Sequence, residues 1–471
     1  MFKKILVANR GEVAVRILRA CKELGIATVA VYSQVDRTAP FALYADEAHY
    51  IGPSLARHSY LHAERILDVA KRTGAEAIHP GYGFLAENAD FARACEAAGI
   101  RFIGPRSDSI AAMGSKVNAR RLMEHAGVPV VPGSDAITDG AHARREARRL
   151  GYPVILKASA GGGGIGMRVV EDEAALDAAL RRAQSIAHST FGEPTVYLEK
   201  CLRHPRHIEF QIIADDSRHA VHLGERECSI QRRHQKLLEE SPSPVMTPQL
   251  REEMGAAALR AATAVDYVNA GTIEFIYAQN QYYFLEMNTR LQVEHPVTEC
   301  TTGIDLVKEQ IRIAAGERLA LRQEEITPVG WAIECRINAE DPTAGFAPAP
   351  GRITAYRAPE GIGVRVDSGV RRGCRITPFY DPLIAKLITW GRDREEAIQR
   401  AGRALSEFVI RGTVTNISFL KAVIDNEDFR AGNYSTSFIE EHPSLFRETQ
   451  KRRCFPQQPS RGARQAPEIR R

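Results

Sequence analysis

The chain lacks any run of about 18 apolar residues, so no membrane-spanning helix is expected. It also lacks a secretory signal. Met1-Phe-Lys-Lys passes directly into the short run Ile5-Leu-Val-Ala8 and then into polar Asn9-Arg10-Gly11, where a signal needs a longer apolar core and a cleavage site. There is no C-x-x-C pair. The eight cysteines stand singly at 21, 95, 201, 228, 300, 335, 374 and 454, which excludes a zinc ribbon and a thioredoxin-type site. Scattered through a long chain with no signal, they suit a reducing cytoplasm. No G-x-x-x-x-G-K-[ST] occurs, so this is not a P-loop enzyme. No internal repeat is visible. The body even lacks net charge, because residues 448–471 hold seven Lys or Arg against two Glu and so carry the whole formal +5. A charge-neutral body argues against nucleic acid as a partner. The basic tail, with Pro456, Pro459 and Pro467, is expected to be disordered.

What is present is ordinary globular protein: 471 residues, 44% hydrophobic and 26% charged. That excludes a collagen-like or wholly disordered chain, and the length points to about three domains. The N-terminal third alternates strand and helix. Lys4–Ala8 is a short apolar run. Val13, Ile17, Leu18, Cys21 and Leu24 then recur at helical spacing until Gly25, and Ala27–Tyr32 reads as the next strand. This βαβ pattern predicts a parallel sheet covered by helices. Its first turn, Asn9-Arg10-Gly11-Glu12, has a single glycine, which makes a dinucleotide fingerprint weak. Ser107–Ala126 reads as helical. Strands are expected at Pro153–Ala158, Arg168–Val170, Thr195–Glu199, His207–Ala214, Ala220–Gly224, Thr272–Tyr277 and Tyr282–Met287, with a helical stretch at 249–266. Mixed strands and helices follow from Trp331.

Four passages carry chemistry. In Lys157-Ala-Ser-Ala-Gly161-Gly-Gly-Gly164-Ile165-Gly166, consecutive glycines let backbone N–H groups close on a phosphate, and Lys157 adds a point charge. On the strands around Glu274 and Glu286, residues two apart share a face. Glu286 and Asn288 therefore project together, and an antiparallel neighbour brings Glu274 beside them. Carboxylate and amide oxygens suit Mg²⁺. The third passage, Asn288-Thr-Arg290-Leu-Gln292-Val293-Glu294-His295-Pro296, offers an arginine to clamp an oxyanion and a carboxylate to act as base. The fourth, Glu227–Lys236, is a basic stretch that reads as a loop in need of anions.

These residues carry a family likeness. Lys157 with its glycine run, Glu199-Lys200-Cys201-Leu202, Glu227–Lys236, Glu274 and Glu286–Glu299 resemble an ATP-grasp ligase. His79–Asn88, Phe102–Pro105, Met113–Lys116 and Glu334–Asp341 narrow the resemblance to biotin carboxylase, in order from residue 2 to about 446. The resemblance implies α/β and α+β architecture: an N-terminal Rossmann-like (pre-ATP-grasp) domain over 1–112, an ATP-grasp domain over 113–327 with a mobile lid at about 131–203, a mixed α+β C-terminal domain over 328–446, and a disordered tail over 447–471. By motif position, Lys116, Lys157, Gly163, Gly164, Glu199, Lys200, Cys201, Leu202, His207, Gln231 and His234 would hold ATP. Glu274, Glu286 and Asn288 would hold two Mg²⁺ or Mn²⁺ ions. Lys236, Arg290, Gln292 and Val293 would hold bicarbonate and Glu294 would deprotonate it. Arg336 would stabilise the biotin enolate, with Tyr82 near biotin.

The implied activity is ATP-dependent carboxylation of biotin by bicarbonate through carboxyphosphate. The alternatives are a carbamoyl-phosphate type of bicarbonate activation and a silent ATP-binding scaffold. No Met-Lys-Met biotinylation motif is present, so the biotin is expected on a separate biotin carboxyl carrier protein. The other expected partner is a carboxyltransferase subunit. The resemblance also implies a homodimer. The final acceptor (acetyl-CoA, propionyl-CoA, methylcrotonyl-CoA or pyruvate) is left open. Ile165 replaces the Arg or Lys expected in many relatives, which touches a side-chain contact of the lid and not the backbone cradle.

Overall fold

The computed structural model describes residues 1–159 and 167–454. The glycine run's Gly163, Gly164 and Ile165, and the tail from 455, lie outside the described residues. The chain opens with a five-stranded parallel sheet in the order Glu47–Gly52, Ala27–Ser33, Lys4–Val7, Ala77–His79, Arg101–Phe102. Alternation along the first strand explains the layering. Ile5 and Val7 enter one hydrophobic core with Val13, Ile17 and Leu18 of the helix Gly11–Glu23, while Leu6 and Ala8 enter the core on the other face with Ile66 and Val69. Both faces are thus covered, as a parallel sheet requires. The turn Asn9–Glu12 sits at the C-terminal end of the central strand, where open α/β sheets present their sites.

A small antiparallel sheet, Arg168–Val170, Val154–Ala158 and Val196–Lys200, follows. The helices Gly140–Leu150 and Glu173–Phe191 cover it through Ala143, Ala147, Leu176 and Leu180. Next comes an eight-stranded sheet in the order Gln281–Asn288, Asn269–Ala278, Arg206–Ala214, Ala220–Arg232, Gln235–Ser241, Trp331–Asn338, Leu383–Gly391, Val364–Ser368. It runs without interruption across the boundary expected near residue 328, because Leu238 pairs with Cys335 and Glu239 with Glu334. The helices Arg394–Glu407 and Ile417–Asp425 pack on its far half. No helix among the described residues is long and apolar enough to cross a membrane.

Three local expectations change. The strand expected to stop at Gly224 continues to Arg232, and Gln231 pairs with Lys236 across a turn; the basic stretch is therefore a hairpin, with Arg233 and His234 at positive φ in its turn. The helix expected over Ser107–Ala126 is two, Ser107–Gly114 and Lys116–His125, broken at extended Ser115. Residues 447–454, assigned to the disordered tail, complete the helix Ser444–Cys454, where Thr449 is buried and donates to the Leu445 carbonyl.

Candidate functional site

The eight-stranded sheet sets the site by register. Glu274 stands opposite Glu286 on one neighbouring strand and opposite Glu209 on the other, so three carboxylates form one cross-strand row. Directly opposed like charges repel, and cations threaded among them offset this. Lys236 Nζ reaches Glu209 at 2.6 Å, Glu274 at 2.9 Å and Glu294 at 2.6 Å. Burial alone would lower the Lys236 pKa, but the three carboxylates hold it well above the ordinary value. Arg226, fully buried, bonds Glu209 at 2.5 Å and also Gln211, Thr298, Thr272 and Gln292. Lys116 lies 3.3 Å from Glu286.

Asn288 and Gln292 each donate to Glu274 Oε1 at 2.8 Å. His207 Nε2 lies 3.1 Å from Glu274 Oε2. Burial would raise the Glu274 pKa, yet Lys236 and His207 hold it well below the carboxylate range. These neighbours favour the anionic form of Glu274, with amide groups beside it. His207, Glu209 and Glu274 place ligating atoms within 4.8 Å of one another, and so do Glu209, Cys228 and Glu294. Of these, the carboxylate oxygens suit a hard divalent cation, and Glu286 faces Glu274 from the adjacent strand.

Glu294 follows the last strand of the row and immediately precedes the helix His295–Thr302. It accepts from Lys236 at 2.6 Å and from Arg336 at 3.0 Å. Burial pushes its carboxyl up, and Lys236, Arg336 and Arg226 together pull it far below the ordinary range. Arg336 is gripped from behind by Glu239 at 2.6 Å. Arg290 is partly engaged, by Glu87 at 2.9 Å and Asn288 at 2.8 Å. The Tyr82 hydroxyl donates to Glu12, and the Val293 carbonyl accepts from Lys386.

Two cavities meet at this cluster. One, of about 530 Å³, is lined by Lys116, Lys157, Glu199, Lys200, Cys201, Leu202, Gln231 and His234 among others. Its Lys157 is ion-paired with Glu199, while the Lys200 ammonium is taken by the Gly151 carbonyl at 2.7 Å. The other, of about 720 Å³, is lined by Tyr82, Lys236, Arg290, Gln292, Val293, Glu294 and Arg336 among others. His207, His234, Glu274 and Glu286 line both. A long polyanion in the first cavity and a small substrate in the second would therefore meet at the carboxylate row.

Comparison with known proteins places the chain in a family. Residues 1–110 match the family model for the biotin carboxylase N-terminal domain, 115–322 that for the ATP-binding domain of the carbamoyl-phosphate synthase L chain, and 334–441 that for the biotin carboxylase C-terminal domain. Biotin carboxylase 1 of Bacillus subtilis is 56% identical over 93% of this chain and 98% of its own length. The chain belongs to the biotin carboxylase family. The biotin carboxylase of Haemophilus influenzae is 51% identical over 93% of this chain and 98% of its own. Among solved structures, the biotin carboxylase domain dimer of Hydrogenobacter thermophilus 2-oxoglutarate carboxylase, in complex with MgADP, ADP and bicarbonate, superposes with a TM-score of 0.92. It is 53% identical, over 95% of this chain and 99% of that one.

The described residues that the biotin carboxylase likeness leads one to expect at nucleotide line the first cavity, and those expected at bicarbonate and biotin line the second. Sequence reasoning missed Glu209, Arg226, Glu239, Glu87 and Glu12. Glu209 had a signal: it is two residues from His207 on the same strand and shares its face. Glu87 lay inside the His79–Asn88 passage without a role. Arg226 and Glu239 had none, because their partners are fixed only by strand pairing.

Proposed function

We propose that this chain carboxylates biotin on a separate carrier protein, using ATP and bicarbonate, as the first half-reaction of a biotin-dependent carboxylase. The observation that carries the reading is Lys236. It lines the second cavity and is bonded at once to Glu209, Glu294 and Glu274, the last of which lines both cavities.

The nucleotide lies in the first cavity against Lys116, Lys157, Glu199 and His207. Glu274, Glu286 and Asn288 would hold the divalent cations, whose charge would neutralise the phosphates. Bicarbonate sits against Lys236, Arg290, Gln292 and Val293. Before it arrives, Lys236 and Arg336 hold the Glu294 carboxyl well below its ordinary range. An anion on Lys236 and Arg290 offsets that field, so the Glu294 pKa rises and the carboxylate takes the bicarbonate proton. The resulting dianion attacks the γ-phosphorus and ADP leaves. Carboxyphosphate breaks into CO₂ and phosphate, phosphate takes the biotin N1 proton, and Arg336 faces the enolate oxygen that forms. N1 then attacks CO₂. Oriented cations in a buried pocket supply the stabilisation without reorganising water.

A carrier protein, self-association into a homodimer and a separate carboxyltransferase belong to this reading. The free cysteines fit a reducing compartment such as the cytoplasm. The test is ADP release by the purified chain with MgATP and bicarbonate, with and without free biotin. Biotin should raise the rate and give carboxybiotin. No biotin-dependent turnover, free or carrier-bound, would refute the reading.

A further inference from the structure

Lys386 lines neither cavity, yet it connects to both walls of the second one. It lies on the strand Leu383–Gly391, opposite Arg336 on one side and Asp367 on the other, and is 0% exposed. Its ammonium donates to the Val293 carbonyl at 2.9 Å, lies 3.2 Å from Glu12 Oε2 and 3.9 Å from Asp367. Asp367 is already satisfied by a two-pronged contact with Arg365. Glu12, itself buried at the start of the helix Gly11–Glu23, accepts the Tyr82 hydroxyl on its other oxygen. A single buried cation thus ties the backbone next to Glu294 to the tyrosine across the cavity, spanning the N-terminal sheet and the central one.

Burying an ammonium is costly even when it is paired, and an apolar side chain of similar volume would serve the core as well or better. Its use here has to come from what it holds. Bicarbonate activation and biotin capture must occur at a fixed separation, because carboxyphosphate that forms away from biotin is lost to water. Building on the proposed function, we infer that Lys386 is a positioning residue. By fixing Val293 and, through Glu12, Tyr82, it sets the distance between the bicarbonate loop and the biotin wall and so couples ATP cleavage to biotin carboxylation.

The test uses the full chain and two variants. In Lys386→Met, the KM for bicarbonate should rise about tenfold or more, since a small misplacement at a reacting centre is expensive. The ratio of phosphate released to biotin carboxylated should rise several-fold above wild type. The KM for MgATP should stay within about twofold, because Lys116, Lys157 and Glu199 have no bond to Lys386. A merely structural role would lower the active fraction and leave both KM values and the ratio alone. In Lys386→Met with Glu12→Leu, the charge pair is replaced by apolar groups, so folding should recover, while Val293 and Tyr82 remain released. That double variant should stay uncoupled. Wild-type bicarbonate KM and wild-type phosphate-to-carboxybiotin ratio in the double variant would overturn the inference. Absence of biotin-dependent turnover in the wild-type chain would instead overturn the proposed function.

Discussion

Glu294→Gln keeps the size of the side chain and removes its charge. In the structure Glu294 accepts from Lys236 and Arg336. After the change Lys236 still has Glu209 and Glu274, and Arg336 still has Glu239, so neither cation is stranded and the fold should hold. The site becomes more positive by one charge, so bicarbonate should bind no worse and its KM should stay level or fall. What disappears is the proton acceptor, worth about 10²–10⁴ in turnover for a positioned base, or roughly 2.7–5.4 kcal/mol of barrier. The assay is biotin-dependent ADP release at saturating MgATP, with bicarbonate varied. If Glu294 served only to fix Lys236 and Arg336, the Gln oxygen would keep one of the two bonds, Glu209, Glu274 and Glu239 would still hold both cations, and the loss would stay below about tenfold. A loss that small removes Glu294 as the base. The free carboxyl titrates far below its ordinary range. Its stabilisation of the fold is therefore present above the unfolded carboxyl pKa and disappears only as pH falls through the depressed folded value. It cannot supply an acid limb near neutrality in the free enzyme's kcat/KM profile.

Burial raises the Glu12 carboxyl to about 7, against the pull of Lys386. A raised carboxyl stabilises the fold fully below the unfolded pKa and loses that contribution as pH climbs through the folded one. Between pH 6 and 8 this group should cost about 1 kcal/mol of stability, and denaturant titrations of Glu12→Gln should show that slope reduced by the same amount. Arg226→Met leaves Glu209 with Lys236 and, at 3.7 Å, His207, and strips partners from Gln211, Thr272 and Gln292. A broken buried pair costs about 3–5 kcal/mol, readable as a lower denaturation midpoint, and full retention of wild-type stability would mean that the network is dispensable.

The site was legible wherever it followed the period of one strand. Glu286 and Asn288 fall on one face by alternation, and Glu274 reaches them because its strand is joined to theirs by a tight hairpin, Gln281 pairing with Ala278. The fold was legible for the same reason: short apolar runs alternating with helical spacing define the parallel sheet. Contacts made by pairing between distant strands were not legible. Glu239 meets Arg336 only because Gln235–Ser241 lies against Trp331–Asn338, a pairing between segments far apart in the chain that no local pattern announces. Nor does any periodicity reveal that Lys386, in a run that reads as plain core strand, faces Glu12 at the far end of the sequence. The basic stretch Glu227–Lys236 misled for a related reason. Its charges resemble a solvated loop, but Lys236 is consumed by buried carboxylates on adjacent strands.

That consumption bears on how the site works. A row of three carboxylates on adjacent strands is unfavourable alone, and so is a cluster of buried cations; each makes the other tolerable. Without substrate, Lys236 is neutralised by Glu209, Glu274 and Glu294, and Lys116 faces Glu286. In the proposed reaction, binding would then proceed by exchange. A divalent cation held by Glu274 and Glu286 would compete for the carboxylates that now neutralise Lys236, and Lys236 so freed would offer a site to an anion. Metal–nucleotide and bicarbonate would therefore favour each other's binding electrostatically, and the bicarbonate anion, not the metal, would offset the field of Lys236 and Arg336 on Glu294. In that reading, the order of charges along one sheet face would link bicarbonate arrival to activation of the base.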